Sequence, residues 1–143
     1  MPGPWAYCDT SVLAKRYVRE NGTGRARALF RRYRFLFSAI TPVELVSAVR
    51  RRHAEGDLTD ERCVAILARI RQDHAHWELV ELVATVLNEA EGLVERCGVK
   101  PLDAIHLASA VTFRGSTGIR PAFVTADDRQ RQAAEREGSP WSG

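Results

Sequence analysis

Four acidic residues of this sequence differ in placement from its other acidic residues. Most of the 18 Asp and Glu side chains lie in polar surroundings that are typical of solvated helix faces or helix starts. Asp9, by contrast, directly follows a short apolar run, and Asp127 lies two residues past another. Glu44 falls in the first turn of a predicted helix, and Asp103 opens an apolar helix that begins after Pro101. These four acids are therefore candidates for a shared site.

A cluster of carboxylates is suited to a small number of chemical functions. They repel one another and raise each other's pKa values, so such a cluster is unfavourable without a cation. Mg²⁺ and Mn²⁺ are hard cations that prefer carboxylate and water oxygens. A cation held in this way activates a water molecule for attack on phosphorus and stabilises the leaving oxygen. The reaction that fits four converging acids is hydrolysis of a phosphodiester bond.

Predicted strands and helices alternate along the chain, and this alternation decides where the four acids would lie. Short apolar runs predict strands at residues 5–8, 35–40, 77–82 and 122–125. A turn is predicted at residues 21–24. Helical spacing and capping residues predict helices at about 9–20, 25–33, 41–54, from 58 onward, 84–96, from 100 onward and after 128. Strand and helix in repetition imply an α/β fold with a parallel sheet.

The predicted sheet brings most of the acids to one edge. In a parallel sheet, the strand ends that lead into helices lie along a single edge, where open α/β folds bind ligands. Asp9, Glu44 and Asp127 reach this edge by topology alone. Asp103 joins them only if its own helix also begins there, which the sequence permits but does not show.

Each of the four acids also has a purely structural interpretation. Asp9 and Asp103 fit helix N-caps that are attracted to the helix dipole. Glu44 closes the sequence Thr-Pro-Val-Glu, which matches a capping box, and taken alone this is its better explanation. Asp127 fits a turn residue, and its neighbour Asp128 is an alternative fourth acid or a helix cap. Only the joint placement of the acids favours a metal site.

The length and composition indicate an ordinary globular protein. A chain of 143 residues, 45% hydrophobic and 27% charged, has the usual size for one domain, so residues 1–143 are expected to form one. The sequence has no run of about 18 apolar residues, so no membrane span is predicted. The first apolar run is too short for a signal peptide, so a cytoplasmic protein is expected. Cys8, Cys63 and Cys97 lack the number and spacing of disulfides or structural zinc sites, and small buried apolar roles are predicted for them.

The basic residues and the histidines give weaker indications. The net charge of +3 only slightly favours an anionic partner. Arginine supplies 19 of the 21 basic residues, which fits phosphate recognition and equally fits a genome of high GC content. The arginine run at residues 50–52 fits a solvated helix face. His106 lies one turn after Asp103, and a packing role explains it more readily than metal ligation.

Four segments of the sequence resemble the acidic motifs of PIN-domain proteins, and especially those of VapC-like toxins from bacterial toxin–antitoxin pairs. Their order and spacing agree with this family along nearly the whole chain. The first and third segments are fairly specific, whereas the fourth is weak in isolation. The segments are YCDTSVLAK at residues 7–15, TPVEL at 41–45, LDAIHLASA at 102–110 and FVTAD at 123–127.

The resemblance implies a fold, an activity and partners. The implied fold is a three-layer α/β/α sandwich with a central parallel sheet, and the implied activity is that of a Mg²⁺- or Mn²⁺-dependent endoribonuclease that acts on RNA. Proteins of this kind typically form homodimers and are silenced by an antitoxin protein whose tail occludes the site. A growth-inhibiting toxin is therefore expected.

The same resemblance assigns roles to residues. Asp9, Asp103 and Asp127 would be metal carboxylates, and Glu44 would act through a water molecule on the metal. Hydroxyl side chains beside the acids are expected to orient them by hydrogen bonds. These are Thr10, Ser11 and Thr125.

Two other classes of function remain open at this point. A catalytically silent module could keep the fold and the metal and act as a binding or regulatory protein. A metal-dependent phosphatase or DNA nuclease could use the same four carboxylates. Substrate tests with purified protein separate these possibilities.

Overall fold

A computed structural model describes residues 3–18 and 23–138 of the chain. Within these residues, four strands alternate with seven helices, as the apolar pattern predicts. In chain order they are β1 (Trp5–Cys8), α1 (Thr10–Tyr17), α2 (Thr23–Arg32), β2 (Arg34–Ser38), α3 (Thr41–Ala54), α4 (Asp60–His74), β3 (Glu78–Val80), α5 (Ala84–Cys97), α6 (Pro101–Thr117), β4 (Ala122–Val124) and α7 (Asp128–Arg136).

The four strands form one parallel sheet in the order β3-β2-β1-β4. Tyr7 in the central strand β1 is paired with Leu36 of β2 on one side and with Phe123 of β4 on the other. The chain builds the sheet outward from β1 to β3 and then returns to place β4 on the opposite side of β1. The direction of building therefore reverses between β1 and β4, and such a reversal leaves a crevice outside the carboxyl ends of the two strands.

Successive side chains of β1 point to opposite faces of the sheet, and a hydrophobic core lies on each face. Ala6 and Cys8 belong to a core cluster that includes buried residues of α1, α3 and α4, with partly buried residues of α2 packed against it. Tyr7 points the other way, into a cluster with buried residues of α5, α6 and α7. Each large apolar side chain buried in this way contributes roughly 1.5–3 kcal/mol. The three-layer α/β/α sandwich implied by the sequence is confirmed.

Helix α6 is buried over most of its circumference. Buried positions include Ala104, His106 and Leu107, which point in different directions around the helix. The reason is that α6 packs both on the sheet and against α5, and its alanines permit close approach. In the described part of the chain, no helix is both long and apolar enough to cross a bilayer.

The predicted boundaries are close to the observed ones, with one clear difference before α2. The predicted turn at residues 21–24 is wrong for Thr23 and Gly24, which already belong to α2. A glycine in the first helical turn is tolerated because the N–H groups there have no intrahelical partner. Residues 21 and 22, and the end of the first predicted helix at 19–20, lie outside the described residues. All three cysteines are free, and Cys97 is only half-buried.

Candidate functional site

Three of the four predicted acids lie close together at the carboxyl edge of the sheet. Asp9 directly follows β1, and its backbone N–H donates to the carbonyl oxygen of Val124 at the end of β4, at 2.9 Å. Asp127 follows β4 and precedes α7, and Asp103 lies in the first turn of α6. Burial raises the pKa of the Asp103 carboxyl, and the negative charges of Asp9 and Asp127 raise it further. The Asp103 carboxyl is therefore near enough to Asp9 and Asp127 to be affected by their charges.

Asp9 is held from two directions by hydrogen bonds. Its Oδ2 atom accepts from the backbone N–H of Ser11 at 3.1 Å and from the Ser11 hydroxyl at 2.6 Å. Its Oδ1 atom accepts from the side-chain amide of Gln130 at 3.2 Å and lies 3.6 Å from Nε2 of His106. Asp9 is the N-cap of α1, as its structural interpretation predicts, and one of its oxygens still faces the other acidic segments.

Glu44 does not close a capping box. Helix α3 begins at Thr41 with Ile40 as its N-cap, and no side chain caps it. Instead, Oε1 of Glu44 accepts a hydrogen bond from the hydroxyl of Thr10 at 2.8 Å and one from Nε2 of His106 at 2.6 Å. The capping-box interpretation fails because Thr41 is already inside the helix and fully buried. Glu44 thus turns towards the segment that follows β1.

The charge state of Glu44 follows from these contacts. Burial by itself raises the pKa of Glu44. The hydrogen bond and the positive charge of His106, together with the hydroxyl of Thr10, outweigh this effect and lower the pKa of Glu44 on balance. Glu44 is therefore an ionised carboxylate at neutral pH, with a fixed orientation.

His106 links the acidic edge to the core. The side chain is only 1% exposed, so His106 is packed in the core as predicted, and it also makes hydrogen bonds. The sequence does not predict these hydrogen bonds; it shows only that His106 lies one helical turn after Asp103. Nδ1 lies 2.7 Å from the hydroxyl of Tyr7, and Nε2 faces the carboxylate of Glu44. An ionised carboxylate only accepts, so Nε2 carries the hydrogen that Glu44 receives.

Asp127 and Asp128 occupy different environments. Oδ1 of Asp127 accepts from the backbone N–H of Gln130 at 2.8 Å, so Asp127 caps α7 while its charge acts on Asp103. The side chain of Asp128 is 86% exposed and pairs with Arg131 of the same helix at 3.3 Å. This placement favours Asp127 over Asp128 as the fourth acid of the cluster.

The three hydroxyl residues beside the acids lie in the site, but one of them acts indirectly. Thr10 donates to Glu44, and Ser11 donates to Asp9. Thr125, in contrast, donates its hydroxyl hydrogen to the side chain of Gln130, at 2.6 Å, rather than to one of the four acids. Gln130 was missed from the sequence because α7 is largely polar and no spacing distinguishes this residue from the other polar ones.

The donor chemistry of the cluster fits Mg²⁺ or Mn²⁺, although the side chains do not form a complete cage. Across residues 3–18 and 23–138, no three His, Cys, Asp or Glu side chains are placed to hold a metal ion together. Mg²⁺, however, usually binds through one or two carboxylates and keeps several water molecules. The raised pKa of Asp103, caused by burial and then by Asp9 and Asp127, marks negative charge that a cation would stabilise.

Comparison with known proteins gives one family and several similar folds. The family model described as the PIN domain matches residues 6–136 of this chain. No curated protein sequence matches it. A toxin–antitoxin complex from Klebsiella pneumoniae is similar with a TM-score of 0.64 and 18% identity, over 85% of this chain and 86% of that one. The crystal structure of PAE2754 from Pyrobaculum aerophilum gives a TM-score of 0.61 and 17% identity, over 96% and 83%. At these identities the two structures bear on the fold alone.

Proposed function

Because this chain belongs to the PIN domain family, whose model covers residues 6–136, we propose that it is a Mg²⁺- or Mn²⁺-dependent endoribonuclease. One observation carries the proposal. Gln130 hydrogen-bonds to the carboxylates of Asp9 and Asp127 and to the backbone carbonyl of Asp103, so acids from three separate segments converge at one edge. Burial, followed by the charges of Asp9 and Asp127, raises the pKa of Asp103 there. Unneutralised convergence of this kind is unfavourable for folding and is typical of a functional site.

The roles of the residues follow from their positions. Asp9, Asp103 and Asp127 would hold the cation. When bound, the cation would polarise the scissile phosphate and lower the pKa of a water molecule. Glu44 would orient the attacking water, because His106 and Thr10 fix its carboxylate and keep it ionised.

The surroundings of the acids suit a phosphate chain. Asp9 and Asp127 are the N-caps of α1 and α7, and Asp103 lies in the first turn of α6, so three helix amino termini face this edge. Helix amino termini carry partial positive charge and favour phosphate groups. Asp127 is exposed, and Glu44 and Asp103 are half-buried, so a polymer can reach the acids from solvent. RNA as the substrate is supported by the resemblance of the four motifs to VapC-like proteins.

We also propose the biological setting of this activity. The chain would act as the growth-inhibiting toxin of a toxin–antitoxin pair, in the cytoplasm, as a homodimer of a single domain that spans residues 1–143. The similar fold of a Klebsiella pneumoniae toxin–antitoxin complex supports a cognate antitoxin as the partner. The resemblance of the motifs to VapC-like toxins supports the same conclusion.

Purified protein tests the nuclease proposal. With Mn²⁺, the wild type should cleave a structured RNA, and Asp127→Asn should reduce the rate at least about 100-fold, because the cation contributes several kcal/mol of transition-state stabilisation. Asp128→Asn is the matched control, since this neighbouring acid lies outside the cluster and pairs with Arg131. Its rate should stay within about twofold of the wild type, as is usual for surface substitutions.

The same assay separates the alternatives. Equal cleavage by the wild type and Asp9→Asn would identify a contaminating nuclease and overturn the proposal. Cleavage of single-stranded DNA or of a phosphate monoester, with RNA left intact, would favour the DNA nuclease or the phosphatase. Growth arrest on expression of the wild type, and normal growth with Asp9→Asn, is the result expected of a toxin.

A further inference from the structure

Gln130 is a buried polar residue that the proposed reaction does not use. Its side chain is 0% exposed, although it lies in the first turn of α7, a helix that is otherwise largely polar. A buried amide without partners costs roughly 1–3 kcal/mol, so a residue of this kind is retained where its hydrogen bonds are made. The partners of Gln130 are therefore informative about its role.

The two ends of the Gln130 amide face chemically different partners. Nε2 donates to Oδ1 of Asp9 at 3.2 Å and lies 3.5 Å from the backbone carbonyl oxygen of Asp103. Oε1 accepts from the hydroxyl of Thr125 at 2.6 Å. A carboxylate and a carbonyl can only accept, so the NH₂ end must face Asp9 and Asp103. The Thr125 hydroxyl accepts from the backbone N–H of Asp127 at 3.1 Å, which leaves its hydrogen free for Oε1.

Gln130 also contacts Asp127, the N-cap of its own helix. Its backbone N–H donates to Oδ1 of Asp127 at 2.8 Å. One residue therefore touches the carboxylate of Asp9, the carboxylate of Asp127 and the backbone of Asp103. These acids follow β1, precede α7 and lie in the first turn of α6, respectively, and no other contact described above joins all three.

The neutrality of the amide matters for a cation site. A lysine or arginine at this position would neutralise Asp9 and compete with a divalent cation for the same carboxylate. An amide donates a hydrogen bond and leaves the negative charge in place. Gln130 can thus fix the orientation of Asp9 while the carboxylate keeps its charge for a metal ion.

We propose that Gln130 is a positioning residue of the cation site, which holds the Asp9 carboxylate in place relative to Asp103 and Asp127. This inference rests on the proposed function, because it assumes that the acids bind a divalent cation. Loss of a hydrogen-bonding partner behind a metal ligand typically weakens metal binding 10- to 100-fold. We expect a change of about that size when the Gln130 amide is removed.

Direct measurement of Mn²⁺ binding by calorimetry tests the inference. Gln130→Met keeps the length of the side chain but removes the hydrogen bonds of the amide, and Gln132→Met, at an exposed position of the same helix, is the matched control. The Kd for Mn²⁺ should rise about tenfold or more in Gln130→Met and stay unchanged in Gln132→Met. High Mn²⁺ should restore much of the RNA cleavage by Gln130→Met, because the amide acts through the metal ligand.

A second pair of variants covers the case in which Gln130→Met does not fold. Thr125→Val removes the hydroxyl that orients the amide, and Thr125→Ser retains a hydroxyl. Thr125→Val should weaken Mn²⁺ binding, and Thr125→Ser should bind more tightly than Thr125→Val. An unchanged Kd in folded Gln130→Met, or equal Kd values for the two Thr125 variants, would overturn the inference and leave the nuclease proposal intact. Absence of Mn²⁺ binding by the wild type would overturn both.

Discussion

At the scale of single residues, a buried histidine connects the acidic site to the hydrophobic core. His106 lies between the hydroxyl of Tyr7 in the core and the carboxylate of Glu44 at the edge. Burial by itself lowers the pKa of His106, but the hydrogen bond to Glu44 and the charges of Asp9 and Glu44 raise it on balance. This hydrogen bond connects α3, which carries Glu44, to α6, which carries His106, although the two helices are distant in sequence.

Replacing His106 by leucine should destabilise the fold strongly. The change leaves the Tyr7 hydroxyl and the half-buried Glu44 carboxylate without this partner, and losses of this type cost roughly 2–4 kcal/mol. Thermal unfolding should show a melting temperature lower by about 6–14 °C, as expected for a domain of this size. His76→Leu, at an exposed position, is the control and should change stability by less than about 0.5 kcal/mol. Similar melting temperatures for the two variants would show that the buried network contributes little.

At the scale of the elements, the helix amino termini bring the acids to the edge of the sheet. Helices α1 and α7 begin directly after Asp9 and Asp127, which cap them. Helix α6 begins two residues before Asp103, after a tight turn that starts at Gly98. The structural and functional interpretations of Asp9 and Asp127 are therefore compatible, because a capping carboxylate uses only part of its accepting capacity.

The turn at Gly98 gives a prediction with an internal control. Gly98 ends α5 with a φ of 66°, a left-handed conformation that strains other residues, and open space surrounds the position of a Cβ atom. Gly98→Ala should therefore cost about 1 kcal/mol from backbone strain alone. Gly115, inside α6, also has open space but no positive φ, so Gly115→Ala should stabilise by about 0.4–1 kcal/mol. Chemical denaturation of both variants measures the two signs, and equal effects would contradict the assigned turn.

At the scale of the whole molecule, the order of the strands decides where a ligand can bind. β1 and β4 are neighbours in the sheet although they are far apart in sequence, and the acids that follow them therefore meet. The chain as a whole carries a net charge of +3, so the acidic cluster is a local exception to its charge balance. Local negative charge of this kind couples the stability of the molecule to cation binding.

Divalent cations should therefore stabilise the protein by mass action. At free Mn²⁺ of about 100 times its Kd, the wild type should gain roughly 2.7 kcal/mol, which raises the melting temperature of a domain of this size by about 8–10 °C. Asp103→Asn should gain much less from Mn²⁺. Without metal it should melt above the wild type, because a raised pKa means that the ionised Asp103 carboxylate destabilises the folded state.

The control for this prediction is Asp128→Asn, which removes an exposed acid in the first turn of α7 and should keep the full response to Mn²⁺. A melting curve of the wild type that does not move with millimolar Mn²⁺ would count against the cation site. A lower melting temperature of metal-free Asp103→Asn would instead show that Asp103 mainly stabilises the start of its helix.

The sequence by itself determined the order of the elements, the class of fold and three of the acidic positions at the sheet edge. These features depend on local periodicity, since alternation in β1 decides which side chains face each layer and since parallel strands share one carboxyl edge. The residues 5–8 were predicted as a strand with the observed limits. The same local rules made a capping box the better explanation of Glu44, and the structure contradicts it.

Only the tertiary structure decided that Asp103 joins the other acids, that Glu44 pairs with His106 and that Gln130 spans three segments. Each of these contacts joins residues 27 to 121 positions apart in the chain. Periodicity reports which residues share a face of one helix or strand. The distance between two such faces depends on how α6 and α7 pack on the sheet, and that packing is a property of the assembled layers.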